Sequence, residues 1–192
     1  MSAATAGRTA PSRKEVTHER IVGAAARAIR RSGYDGTGVA DIMKKVGLTH
    51  GGFYAHFASR EAMLAEAADR AGAESVTTLT RVAAAAPPRA ALQSLIRAYL
   101  SKEHVADAET GCPVAALASE TPRQAARVRR AATRRIKDMI AVVARHSPDH
   151  EHALVTMATM VGALVLARAV DDPKLSDALR EASVKHFDAT GT

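Results

Sequence analysis

The chain of 192 residues has one cysteine, no tryptophan and an aromatic content of only 3%. A single cysteine excludes an intramolecular disulfide and a cysteine-rich zinc site. The stretch from Met1 to Ala10 lacks the apolar run of a signal peptide, so the protein is expected in the cytoplasm. The longest apolar run, Ala153 to Ala167, falls short of the roughly 18 residues that mark a membrane span and is closed by Arg168, which fits a buried interface helix better. No glycine-rich loop follows a strand, no residues have metal-ligand spacing, and no nucleophile and base stand in a triad pattern. These absences predict a protein that is not an enzyme and has no cofactor or metal.

What the chain does have is alanine and apolar residues at helical spacing. Apolar side chains make up 47% of the sequence and charged ones 24%, ordinary values for a soluble protein. With so few aromatics, this composition favours close-packed helices and an all-α fold. The charge is unevenly placed. Between residues 1 and 60, ten cations face four acids, so this segment carries six of the formal seven net positive charges. A basic excess confined to one segment is the electrostatic footprint of phosphate binding.

That segment holds the stretch around which the rest is organised, GYDGTGVADIMKKVGLTHGGFYAHFASR from Gly33 to Arg60. Val39, Ile42, Met43 and Val46 recur at i, i+3, i+4 and i+7, one face of a helix. Thr37 is read as its N-cap. Gly47 permits a tight turn, Leu48 plugs the gap, and Thr49 is positioned to cap a short second helix with its hydroxyl. In that second helix Phe53 and Phe57 face the core, which turns His50, Gly51, Gly52, Tyr54 and His56 outward. The spacing is that of a helix-turn-helix, whose second helix enters the major groove by its N-terminus.

The run GTGVADIMKKVGLTHGGFYAHFASREAML resembles the DNA-binding signature of the TetR family of one-component transcriptional regulators, over about Val16 to Leu64. The match rests on Thr37, Val39, Ile42, Gly47, Leu48, Thr49, Gly51, Tyr54, His56, Phe57, Ser59 and Glu61. Two positions depart from the pattern. Gly52 stands where Thr or Ser is commoner, which removes a hydroxyl, and Arg60 stands where Lys is commoner, which keeps the charge. The resemblance implies a three-helix head and a larger helical body of a homodimer, about nine or ten helices in each chain. It further implies a ligand-responsive regulator, most simply a repressor, that grips a near-palindromic double-stranded operator and is released by a small-molecule inducer. Thr37, Lys44, Thr49, Tyr54, His56 and Arg60 would then meet phosphates, with His50, Gly51 and Gly52 nearest the bases.

Along the chain, residues 1–12 read as a disordered basic tail, 13–58 as the DNA-binding domain and 59–192 as the ligand-binding and dimerisation domain. Ser59 is expected to cap a long fourth helix that links head to body. Breaks at Pro87-Pro88, Gly111-Cys112-Pro113, Thr121-Pro122, Ser147-Pro148 and Asp172-Pro173 divide the body into helices. The apolar helix from about Asp149 to Val170 would pack against a second subunit through Val155, Thr159, Gly162, Ala163 and Leu166. Leu92, Ile96, Tyr99, His104, Cys112 and Leu117 are the candidate lining of an inducer pocket.

Three other features invite chemistry. Cys112, before Pro113, would sit at a helix N-cap where the dipole favours thiolate, so direct sensing of oxidants or electrophiles is an alternative reading. A helical carrier of small molecules without DNA binding is another. His146, His150 and His152 gather at a turn without a ligand spacing, and the stripe from Arg123 to Lys137 reads as a solvated helix face.

Overall fold

The computed structural model describes residues 10–189, so the first nine residues of the expected tail, with Arg8, lie outside the described residues. The protein is all-α. Among the described residues there are nine α-helices, three short 3₁₀ helices and no strand.

Helix α1 (Arg13–Ser32) starts at a capping box: the Glu15 N–H donates to Ser12 Oγ at 3.2 Å, and the Ser12 N–H donates to Glu15 Oε2 at 2.7 Å. Ser12 therefore belongs to the start of the head, two residues inside the segment read as tail. Helix α1 ends at Gly33, whose φ of +74° only glycine adopts without strain. Helix α2 (Val39–Lys45) and a six-residue 3₁₀ helix (His50–Ala55) follow, joined through Gly47, also at φ +74°. Helix α3 (Arg60–Ala85) is capped as expected, with the Ala62 N–H donating to Ser59 Oγ at 3.2 Å. The body comprises α4 (Ala91–Tyr99), α5 (Lys102–Ala106), α6 (Pro113–Leu117), α7 (Ala126–Ala144), α8 (His150–Ala169) and α9 (Pro173–Ala189).

Two differences from the expected helices have local causes. Glu120 and the Thr121–Arg123 3₁₀ turn stand outside helices, because Gln124 and Ala125 take extended backbone before α7 begins. The short α5 was not anticipated; its start is set by Ser101, whose hydroxyl accepts the His104 N–H at 3.2 Å.

The chain packs around two apolar cores, and α3 contributes to both. Its first half places Met63, Leu64, Ala67, Ala68 and Ala71 with Ile21, Ala25, Ile29, Met43, Phe53 and Phe57 of the head. Its second half places Leu79 and Ala83 with Leu95, Ile96, Met139, Met160 and Leu164 of the body. The head core also takes Leu117, Val128 and Ala131, so head and body are not separate below the surface.

Helices α3 and α7 approach most closely at Gly72, where a Cβ would stand 2.3 Å from Arg135 Cβ. Beside it Arg135 grips Asp69 with two parallel bonds of 2.8 and 2.7 Å, and Arg134 adds a third of 2.6 Å. Burial alone would raise the Asp69 carboxyl, but these guanidinium bonds hold it below its ordinary range. The arginine stripe of α7 is thus partly a clasp on α3 rather than an open solvated face. Gly72→Ala is expected to destabilise the protein by about 1–2 kcal/mol: overpacking costs about 1–3 kcal/mol and outweighs the gain of up to about 1 kcal/mol from removing a helical glycine. A urea midpoint that falls at constant m-value checks this, and a rise would refute so close a contact.

Helix α8 is apolar all round. One face, with Ala153, Met157, Met160, Leu164 and Ala167, packs into the body core. The other leaves Leu154, Val155, Val165 and Leu166 exposed at 43, 52, 39 and 53%. By length and composition this helix could cross a membrane; its buried face shows that it is built into a protein core. Ala163, expected on the outward face, turns inward and is buried with the body core, one helical turn after Met160. Val155, Leu166 and Gly162 are exposed and Thr159 is half-buried.

Candidate nucleic-acid interface and body cavity

The head presents its second short helix on the outside, as the spacing predicts. Phe53 and Phe57 anchor it, buried and stacked at 5.3 Å, with His18 of α1 stacked on Phe57 at 4.5 Å. This apolar clamp holds a turn too short to be stable alone. On the opposite side Tyr54 is 69% exposed, and Lys44, Thr49, His50 and Gly51 are exposed around it. His50 and Tyr54 meet edge to face at 6.4 Å, so the two rings form one outward patch.

Several expected roles change. Thr37 is buried and its hydroxyl donates to the Gly33 carbonyl at 2.8 Å, so it ties the α1–α2 turn and is not free for a phosphate. The N-cap of α2 is Gly38, without a side-chain bond. Thr49 is at the N-cap of the 3₁₀ helix but makes no capping bond, which leaves its hydroxyl available. Gly52 is half-buried, and a Cβ there would meet only Met43 Cε and Thr49 Oγ1 at 3.7 Å, ordinary contact; the missing hydroxyl is not a steric requirement. His56 is half-buried against α1, with Nδ1 covered and unpartnered. Burial, with His18 and Lys14 nearby, lowers its pKa and favours the neutral ring. Arg60 curls back to donate to the Tyr34 and Thr37 carbonyls, the latter through Nε at 3.3 Å. It braces the α1–α2 turn where an extended phosphate contact was expected.

A second brace was not foreseen. Arg20 of α1 donates to the Val46 carbonyl at 3.0 Å, holding the end of α2. The head is joined to the body by Glu120, whose carboxylate accepts the Tyr34 N–H at 2.8 Å. It lies over Gly33, where a Cβ would come within 2.4 Å of its Oε1. No local sequence pattern announces a contact across 86 positions.

Of the expected pocket residues, Tyr99, His104 and Cys112 line one cavity of about 660 Å³ between α1, α3, α4 and the loop before α6. Leu92 and Ile96 do not line it; they face the body core, on the apolar side of α4. Leu117 lines a separate, smaller cavity of about 320 Å³ between the head and α7, with Tyr34, Ala68 and Ile136. Cys112 is at the N-cap of α6 as expected, but that helix has only five residues and the thiol is fully buried. Burial raises its pKa, the reverse of the activation expected from the dipole.

With this geometry described, likeness to known proteins can be assessed. Residues 21–67 match the pattern of "Bacterial regulatory proteins, tetR family", the stretch from α1 through the first turns of α3. Curated relatives from two strains of Mycobacterium tuberculosis, each described as an uncharacterized HTH-type transcriptional regulator, are 33% identical over 80% of this chain and 85% of their own length. Among solved structures, Escherichia coli NemR in its reduced form superposes with a TM-score of 0.77 over 89% of this chain and 94% of its own, at 20% identity. A TetR-family regulator from Agrobacterium tumefaciens gives 0.74 over 90% and 98%, at 23% identity. The two solved structures establish the fold; the matched motif and the mycobacterial relatives establish the lineage, which is one of regulators and not of enzymes. This protein is a member of the tetR family of bacterial DNA-binding transcriptional regulators.

Proposed function

We propose that the protein is a cytoplasmic, homodimeric repressor that releases a near-palindromic operator when a small molecule enters its body. The observation that supports this reading best is the exposed patch of Tyr54, Lys44, Thr49 and His50 on a head whose core is shared with the body through α3. Tyr54, Lys44 and Thr49 serve phosphates, and His50 and Gly51 approach bases. A rigid helix in both cores carries a shift at the cavity into a tilt of the head. The outward apolar face of α8 supports a second subunit, which would set the spacing of two heads. The alternative of sensing oxidants through Cys112 loses its support with the thiol buried and its pKa raised.

The test is a titration against the DNA flanking the coding region at two salt concentrations, with a Tyr54→Ala, Lys44→Ala double variant beside the parent. Both side chains are exposed, so the variant should melt as the parent does. It should bind about tenfold more weakly and with a log–log salt slope smaller by about 1, the signature of one lost phosphate contact. Equal affinity and slope would place the DNA surface elsewhere on the head.

A further inference from the structure

The cavity of about 660 Å³ has a distinct mouth and floor. Its most exposed lining includes Arg27 of α1 and Arg81 of α3; its most buried includes Tyr99 of α4 and Cys112. The size is within the range of small-molecule sites, roughly 300–1,000 Å³.

The hydrogen-bonding groups around it are unbalanced. All three carboxylates on its wall are already engaged. Glu74 accepts from Arg30 at 2.6 Å and from Arg70 at 2.8 Å. Asp107 accepts the Thr110 N–H at 3.1 Å and the Thr110 hydroxyl. Glu103 is held low by its own backbone N–H and the Ser101 hydroxyl at the start of α5. His104 is spent too: Nδ1 meets the Tyr99 carbonyl at 2.6 Å, and Nε2 accepts the Cys112 N–H at 3.0 Å, an arrangement that requires the neutral ring.

The donors are not spent. Tyr99 is 4% exposed, and its hydroxyl, beside the Cys112 thiol, makes no hydrogen bond among the described residues. Arg30 is 3% exposed, and its Nε likewise has no partner there. At the mouth, neither Arg27 nor Arg81 forms an ion pair or side-chain hydrogen bond among the described residues. A buried donor left unpaired costs about 1–3 kcal/mol, so a partner bringing acceptors is favoured. A cationic ligand would find no free carboxylate. A purely apolar one would leave the donors as they are.

We propose that this cavity binds a small amphipathic organic anion, its carboxylate held by Arg27 and Arg81 at the mouth and a carbonyl or ether oxygen accepting the Tyr99 hydroxyl at the floor. The apolar middle of such a ligand lies along Leu79, Val82 and Ala98. This names the inducer class for the ligand-responsive reading above and rests on that reading for its regulatory meaning. Because Arg27 belongs to the head and Tyr99 to the body, one bound molecule would bridge both.

Three matched probes test the chemistry by calorimetry on the full chain: benzoylbutyrate, phenylvalerate, which lacks the keto oxygen, and benzoylbutyrate methyl ester, which lacks the charge. Benzoylbutyrate should bind tightest, about tenfold tighter than the ester and about fivefold tighter than phenylvalerate. In Arg27→Gln, Arg81→Gln the gap between acid and ester should close. In Tyr99→Phe the gap between keto acid and phenylvalerate should close, while the free protein melts no lower, since the lost hydroxyl had no partner. Each gap is read within one variant, so a general loss of affinity does not mimic the result. No binding by any probe, an ester as tight as the acid, or gaps that survive the substitutions would overturn the proposal. Operator release is followed in parallel. A keto acid that binds with the expected gaps and leaves DNA bound would uphold the ligand class and overturn the regulatory reading; release by a compound that does not compete for this cavity would do the reverse.

Discussion

Arg30→Ala is expected to lower the free energy of unfolding by about 3–5 kcal/mol, the cost typical of breaking a buried charged network by removing one partner. The Arg30 side chain is fully buried, and its guanidinium donates to the Ala71 carbonyl at 2.9 Å, the Glu109 carbonyl at 3.1 Å and Glu74 at 2.6 Å. One side chain of α1 thus joins α3 and the loop before α6. Its loss leaves a void and two backbone acceptors without their donor. Arg30→Met, which refills most of the volume, should cost less. Urea unfolding at neutral pH checks both.

The acid limb gives an independent check. Burial alone would raise the Glu74 carboxyl, but the hydrogen bonds from Arg30 and Arg70 hold it below its ordinary value of 4.5. A carboxylate with a depressed folded pKa contributes stability above its unfolded value, and that contribution is lost as pH falls through the folded value. The difference between parent and Arg30→Ala should therefore narrow below about pH 4, where Glu74 is protonated in both. It should not vanish, because the carbonyl bonds do not titrate. A difference independent of pH would show that Glu74 contributes nothing through this pair.

Leu166→Glu should turn the dimer into monomers. Leu166 is 53% exposed on the outward face of α8, beside Val155, Gly162 and Val165, so the substitution removes little from the chain's own core. In a two-fold assembly every substitution occurs twice, and each carboxylate is forced into an apolar seam without a partner. At about 3 kcal/mol for each, the loss is about 6 kcal/mol, or roughly four powers of ten in dissociation constant. Sedimentation velocity should show a folded monomer, and operator affinity should fall with it because two heads would no longer be joined. A variant that stays dimeric would show that α8 is not the subunit contact.

Much of this molecule could be read in advance. The helix pattern, the proline breaks, Ser59 as a cap and the Phe53–Phe57 anchor are local, and local rules found them. The errors were of another kind. Thr37 and Arg60 carry the residue types of phosphate contacts, yet their side chains turn to carbonyls of the same turn, a choice made by three-dimensional proximity. Ala163 misled because a helix apolar on every side gives no period from which to tell its inner face from its outer one. Cys112 was placed at the right helix end, but its burial under α4 could not be read from its neighbours in the chain. Leu92 and Ile96 were the right kind of residue for a pocket and turned out to face the core beside it.

The sharing of the head core has a practical meaning for exchanging specificity between relatives. Met63, Leu64, Ala67, Leu117, Val128 and Ala131 pack with Ile21, Ile29 and Phe53, although all six lie beyond residue 58. A graft cut at residue 58 would therefore transplant half of a jigsaw and leave the matching pieces behind. A new DNA reader can be fitted to this body only if its underside is recut to those six side chains, or if they travel with it. Its outward residues, from Lys44 to Tyr54, are by contrast free to be exchanged alone.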